Sequence, residues 1–81
     1  MSHLTSKVEN DILIITFNDA KLDDYWQTKE VGDELLQTAA DSDCKRILLD
    51  FQHTAFISSS MVGQLFLLNR RCRAENKSVK M

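Results

Sequence analysis

Residues Ser58, Ser59 and Ser60 place three consecutive hydroxyls just before an apolar, helix-like run that begins at Met61. Three chemistries suit hydroxyls at such a junction. One serine can cap the helix by accepting a hydrogen bond from an unpaired backbone N–H, worth about 1 kcal/mol. Capping, however, needs one serine and not three. A serine can also act as a nucleophile if a base is at hand, and the available imidazoles are His3 and His53, the latter six residues before Ser59 on the same connection. A hydrolase nucleophile elbow relies on glycines to relieve crowding around the strained serine, and the segment from Ile57 to Met61 contains none. A P-loop of the form G-x-x-x-x-G-K-S/T is absent as well. The third chemistry is phosphate acceptance. A phosphate at a helix N-terminus meets free N–H groups and the positive end of the helix dipole, so the fold tolerates it. It also adds nearly two negative charges to a turn that a partner could reach.

The remaining polar clusters carry weaker signals. Asp19, Asp23 and Asp24 could surround a cation, but the glycine and glutamate of a calcium loop are missing, so they read as a solvated turn. Arg70, Arg71, Arg73, Lys77 and Lys80 form a basic run without interleaved aromatics. It reads as a solvated complement to a helix C-terminus rather than a nucleic-acid surface. Tyr25 and Trp26 read as core or staple residues, with partner contact as the alternative. Cys44 and Cys72 follow neither zinc nor C-x-x-C spacing and read as free thiols in a reducing compartment. No cofactor loop or metal set is expected. Net charge is −2, so overall electrostatics favour neither nucleic acid nor an anionic membrane. Apolar runs such as Ile12 to Ile15 are too short to span a bilayer, and no secretory signal is evident, so a soluble, cytoplasmic protein is expected.

The elements that must position these groups follow from periodicity. With 81 residues the chain makes one small domain, residues 1–81, without an internal repeat or linker. LTSKVE (4–9) is ambiguous and suits a short edge strand. ILIITF (12–17) is continuously apolar and β-branched, which predicts a strand buried on both faces. From Tyr25 to Ala40, Thr28, Val31, Gly32, Leu35, Leu36 and Ala39 recur at helical spacing. KRILLDF (45–51) reads as a second buried strand, after which Phe56 and Ile57 carry the chain back toward the core. A second helix spans about Ser59 to Asn76, with Met61, Leu65, Leu68 and Cys72 in one row and Val62, Phe66 and Asn69 beside it. SVKM begins a last strand. The order β-β-α-β-α-β predicts an α/β sandwich with parallel later strands.

The segment RILLDFQHTAFISSSMVGQLFLLNRRCRAENKSVKM resembles the middle of the STAS domain, the anti-sigma-factor antagonist fold. That family carries a strand of the type vvLDl, a short link, F-I/L/M-D-S-S-G-L-G opening a helix, a basic helix end and a further strand. Phe56 and Ile57 match, Ser58 takes the aspartate's place, and Ser59 and Ser60 take the two serines. Met61 stands for the first glycine, Val62 for the leucine, and Gly63 matches the second glycine. Upstream, Leu22 and Asp23 match the family's E-L-D turn. The resemblance covers the chain from about Val8 to Met81 and implies a STAS-like mixed sheet with helices packed on it, shortened at the C-terminus.

It further implies a regulatory, non-enzymatic role in partner switching within transcription control. Ser59 takes the acceptor position, with Ser60 as a minor site. The implied partners are an anti-sigma factor that is also a serine kinase, and a serine phosphatase that resets the switch. Partner contacts are expected at Asp23, Ser58, Ser59, Ser60, Met61 and Gly63, with the bulky Met61 side chain on the approached surface. A constitutive scaffold module is the alternative, and a small serine hydrolase a remote one. The second helix offers many apolar positions, Leu67 lies off its main row, and SVKM leaves an unpaired edge. A homodimer formed by strand exchange or helix-face packing is therefore expected.

Overall fold

The computed structural model describes residues 3–81. A hairpin opens the fold. Strand β1 (Leu4–Glu9) runs antiparallel to β2 (Ile12–Phe17) in unbroken register from Leu4 opposite Phe17 to Glu9 opposite Ile12. Asn10 and Asp11 both have positive φ, 51° and 65°, the turn conformation whose twist matches that of the flanking strands. The chain then passes through β3 (Lys21–Leu22), helix α1 (Tyr25–Ala40), β4 (Arg46–Asp50), β5 (Phe56–Ile57), helix α2 (Ser59–Ala74) and β6 (Ser78–Lys80). The main sheet has the order β1-β2-β4-β6, with β4 parallel to both of its neighbours. The progression β2-β4-β6 runs in one direction, so both crossover helices lie on one face and pack against each other.

One-sided coverage corrects the expectation for ILIITF. Leu13, Ile15 and Phe17 point into the core, whereas Ile12, Ile14 and Thr16 on the opposite face are only half-buried. β4 alternates likewise, with Ile47 and Leu49 buried and Arg46 and Leu48 exposed. Continuous hydrophobicity gave the wrong burial because, among the described residues, no layer covers the second face of this sheet. The core is completed by Val31, Leu35 and Ala39 from α1 and Met61, Leu68 and Cys72 from α2, with Phe17 stacked on Phe51 at a centroid distance of 4.5 Å.

Both helices are punctuated by specific side chains. Asp24 caps α1: its carboxylate accepts from the Gln27 amide at 3.0 Å, and Gln27 Oε1 accepts in return from the Asp24 amide. At the far end of α2, Asn76 adopts φ 61°. Its N–H reaches the Arg73 carbonyl while that of Lys77 reaches the Cys72 carbonyl at 2.7 Å, which satisfies the last carbonyls of the helix. Lys77 departs from the solvated role expected of it. Its ammonium is buried and donates to the carbonyls of Ala39 and Ser42, both at 2.9 Å, and so caps α1 rather than α2.

Candidate functional site

A two-residue parallel ladder brings the site together. β3 pairs with β5, Lys21 opposite Phe56 and Leu22 opposite Ile57. It is extended on both sides by the Ala55 amide donating to the Ala20 carbonyl at 2.8 Å and the Ser58 amide donating to the Leu22 carbonyl at 2.9 Å. Each strand leads directly into a helix, so the ladder sets the N-termini of α1 and α2 side by side. Asp23 and Ser58, 35 positions apart in the chain, thereby flank the same pair of strands.

The three serines are not equivalent. Ser58 is the N-cap: its hydroxyl accepts from the Met61 amide at 3.4 Å, and its carbonyl accepts from the Val62 amide at 3.1 Å. Capping therefore falls to the residue that stands where the resembled motif has aspartate. Ser59 and Ser60 occupy the first helical turn and are exposed. Asp23 is exposed as well, its amide held by Gln27 Oε1. Gly63 is exposed, and a side chain added there would meet nothing.

Met61 is a correction. It is fully buried, in the row with Leu68 and Cys72 that faces the sheet, and offers no surface to a partner. The helical period fixes that outcome, because a residue seven positions before a buried leucine shares its face. Three aromatics depart in the opposite sense. Tyr25 (60% exposed), Trp26 (68%) and Phe56 (52%) stand at the surface rather than in the core, the first two edge to face with centroids 5.1 Å apart. The pairing of Lys21 with Phe56, and the position of Tyr25 and Trp26 immediately after the α1 cap, place all three at the same end as the serines. Their phases hint at this outcome for α1. Trp26 falls in line with Glu30, Asp33 and Gln37 on the solvent face of the helix.

His53 is exposed, and no hydrogen bond joins it to any serine among the described residues. His3 is occupied elsewhere. Its ring bridges the Asp19 carboxylate at 2.7 Å and the Glu30 carboxylate at 3.2 Å, and its amide donates to Glu34. These carboxylates, Glu30 foremost, hold the imidazole pKa above its ordinary value against the opposing effect of burial. Asp19 is thus engaged with a histidine rather than grouped with Asp23 and Asp24, and the described residues contain no cluster suited to a metal ion. The thiols Cys44 and Cys72 are unpaired, and burial pushes the Cys72 thiol pKa up, away from the reactive thiolate. No helix is long and apolar enough to cross a membrane among the described residues.

No family model matches the sequence, and no curated protein is significantly similar to it. Solved structures do match its fold. The unphosphorylated form of the anti-sigma factor antagonist SpoIIAA superposes with a TM-score of 0.70 at 17% identity, over 94% of this chain and 68% of its own. The phosphorylated form of SpoIIAA, described as a Bacillus cell fate determinant, gives 0.71 at 16% identity over 96% and 69%. The crystal structure of Mglu gives 0.72 at 16% identity over 94% of this chain, which spans only 18% of Mglu. At these identities the likeness is one of fold, and the chain has the STAS-like α/β architecture of SpoIIAA.

Proposed function

We propose that this STAS-like domain is a cytoplasmic regulatory module that binds a protein partner through the serine turn and releases it on phosphorylation of Ser59. The observation that carries the reading is the exposure of Ser59 and Ser60 between two adjoining helix N-termini, rimmed by solvent-facing Tyr25, Trp26 and Phe56. Exposed aromatics of this kind supply binding energy at protein interfaces. In the unmodified state the turn carries hydroxyls alone. A phosphate on Ser59 would be held by the free N–H groups of the first turn of α2, so the domain would stay folded. Its charge would stand beside Asp23 and Asp24 and would have to be desolvated by any partner covering the turn, which favours release. SpoIIAA keeps a fold equally similar to this one in both its phosphorylated and its unphosphorylated forms, in keeping with a switch that alters the surface and not the core.

The partners proposed are an anti-sigma factor with serine kinase activity and a serine phosphatase, with transcription as the regulated process. A binding module fits better than a hydrolase, because among the described residues no base is hydrogen-bonded to Ser58, Ser59 or Ser60. Ser58 stands directly before the acceptor in sequence, where the resembled motif has aspartate. That favours a constitutive scaffold as the second reading.

The test is to incubate the domain with candidate serine kinases and locate phosphate by mass spectrometry of the peptide 55–64. Phosphate on Ser59, lost in Ser59→Ala and retained in Ser58→Ala, is expected. Ser59→Asp should weaken partner binding by about 1 kcal/mol or more. Phosphate confined to Ser42 or Ser78, or unchanged partner affinity of Ser59→Asp, overturns the switch and leaves the scaffold.

A further inference from the structure

His3 lies outside the serine turn but within the frame that holds it. Each nitrogen of its ring faces a carboxylate: Nδ1 is 2.7 Å from Asp19 Oδ2, and Nε2 is 3.2 Å from Glu30 Oε2. An ionised carboxylate can only accept, so both contacts are hydrogen bonds only when both ring nitrogens carry protons. The arrangement is that of an imidazolium. Neutral imidazole donates once and turns a lone pair toward the other carboxylate. Among the described residues, the charged groups set against His3 are Asp19 from the β2–β3 connection and Glu30 and Glu34 from α1. All three are acidic, so the cation also offsets the repulsion among them.

Both ends of this bridge lead to the serine turn. The Asp19 carbonyl accepts from the Thr54 hydroxyl at 2.7 Å, and the Ala20 carbonyl accepts from the Ala55 amide at 2.8 Å. These bonds open the β3–β5 ladder, which closes with the Ser58 amide on the Leu22 carbonyl. The His3 carbonyl steadies the same connection by accepting from the Asn18 amide at 3.0 Å. On the other side, Glu30 follows Trp26 by one helical turn, and both are exposed. His3 thus joins the strand beside the serine turn to the helix that carries Tyr25 and Trp26.

We propose that His3 is a proton-operated clasp. As the imidazolium it holds α1 against the β2–β3 connection; on losing its Nε2 proton to water it releases Glu30 and loosens the β3–β5 ladder. Nε2 is the nitrogen that yields, because its contact is the longer and Glu30 is 72% exposed against 29% for Asp19. Water readily replaces a donor at so exposed a carboxylate. Nδ1 keeps its proton on Asp19. Glu30 and Asp19 raise the His3 pKa, so the clasp is closed below the ordinary value of 6.5 and opens as the pH rises through the folded value. It acts on the shape of the site whether or not Ser59 is phosphorylated.

The test uses the full chain without kinase or partner, so it stands apart from the phosphorylation reading. The His3 ring is titrated by NMR, Trp26, the only tryptophan, is followed by its emission, and amide exchange is measured across the same pH range. The His3 and Trp26 transitions should share one midpoint. Above it, after correction for intrinsic exchange, the Ala55 and Ser58 amides should lose protection about threefold or more beyond any loss in the β2–β4 ladder. His3→Gln, neutral throughout, should abolish the Trp26 transition. Glu30→Gln should keep the ladder protected at high pH, because its amide can donate to the deprotonated Nε2. Circular dichroism checks that both variants fold. A Trp26 transition that persists in His3→Gln, or none in the native chain, would overturn the proposal. So would ladder amides that lose protection only in step with the β2–β4 ladder, which would reduce His3 to a contributor to global stability.

Discussion

Replacing Lys77 with methionine isolates the contact that ties the two helices together at the end opposite the serines. The aliphatic stem would keep its packing while the ammonium disappears. In the native structure that ammonium, with a side chain only 7% exposed, donates to the Ala39 and Ser42 carbonyls at 2.9 Å each and lies 3.4 Å from Glu75. Hydrogen bonds from a charged donor contribute about 1.5–3 kcal/mol, and a buried carbonyl left without a donor costs about 1–3 kcal/mol. Two opposing effects temper the sum. The ammonium no longer has to be desolvated, and the Ser42 carbonyl lies near the surface where water can replace the lost donor. A net loss of about 2 kcal/mol is expected, or roughly 8–16 °C in Tm for a domain of this size. Urea unfolding followed by circular dichroism measures it as a lower midpoint at unchanged m-value. Glu75→Gln serves as the control and should change stability by less than about 0.5 kcal/mol, because Glu75 is half-exposed and such pairs are screened. If Lys77→Met loses no more than Glu75→Gln, the ammonium is not the cap that the geometry describes.

Two further outcomes are expected. The pKa of His3 is raised in the folded state, so its stabilising contribution is complete below the ordinary value of 6.5 and is lost as the pH rises through the folded value. The urea midpoint should therefore fall as the pH rises above 6.5 in the native chain and stay flatter in His3→Gln, and parallel pH profiles would exclude this role. Gly63 lies within α2 with open space around it, so Gly63→Ala should raise stability by about 0.5–1 kcal/mol, measured by thermal melting. A loss of stability would mean that the backbone there needs glycine after all.

The order of the four main-sheet strands and two helices, both helix positions and the start of α2 at Ser59 could be read from the sequence, whereas the two-residue strands β3 and β5 could not. Amphipathic period and cap chemistry are local properties, carried by neighbours three or four residues apart. The serine turn was legible for the same reason, as a run of hydroxyls before an apolar row. What tertiary structure decided was which surfaces are covered. ILIITF carries the same residues whether a layer covers one face of its sheet or two, and only the one-way strand order β2-β4-β6 put both helices on one side. Met61 met two local expectations at once, the buried row of α2 and the partner-facing turn. Burial prevailed because the sheet lies beneath that row. Tyr25, Trp26 and Phe56 are apolar enough for a core, yet the short β3–β5 ladder holds them at an end of the molecule where nothing packs over them. Lys77 looked like one more solvated cation in a basic run. Its ammonium is buried because the turn after α2 passes the end of α1, whose carbonyls lie 35 and 38 residues away in the chain. Such long-range neighbours follow from the path of the whole chain, and no local pattern encodes them.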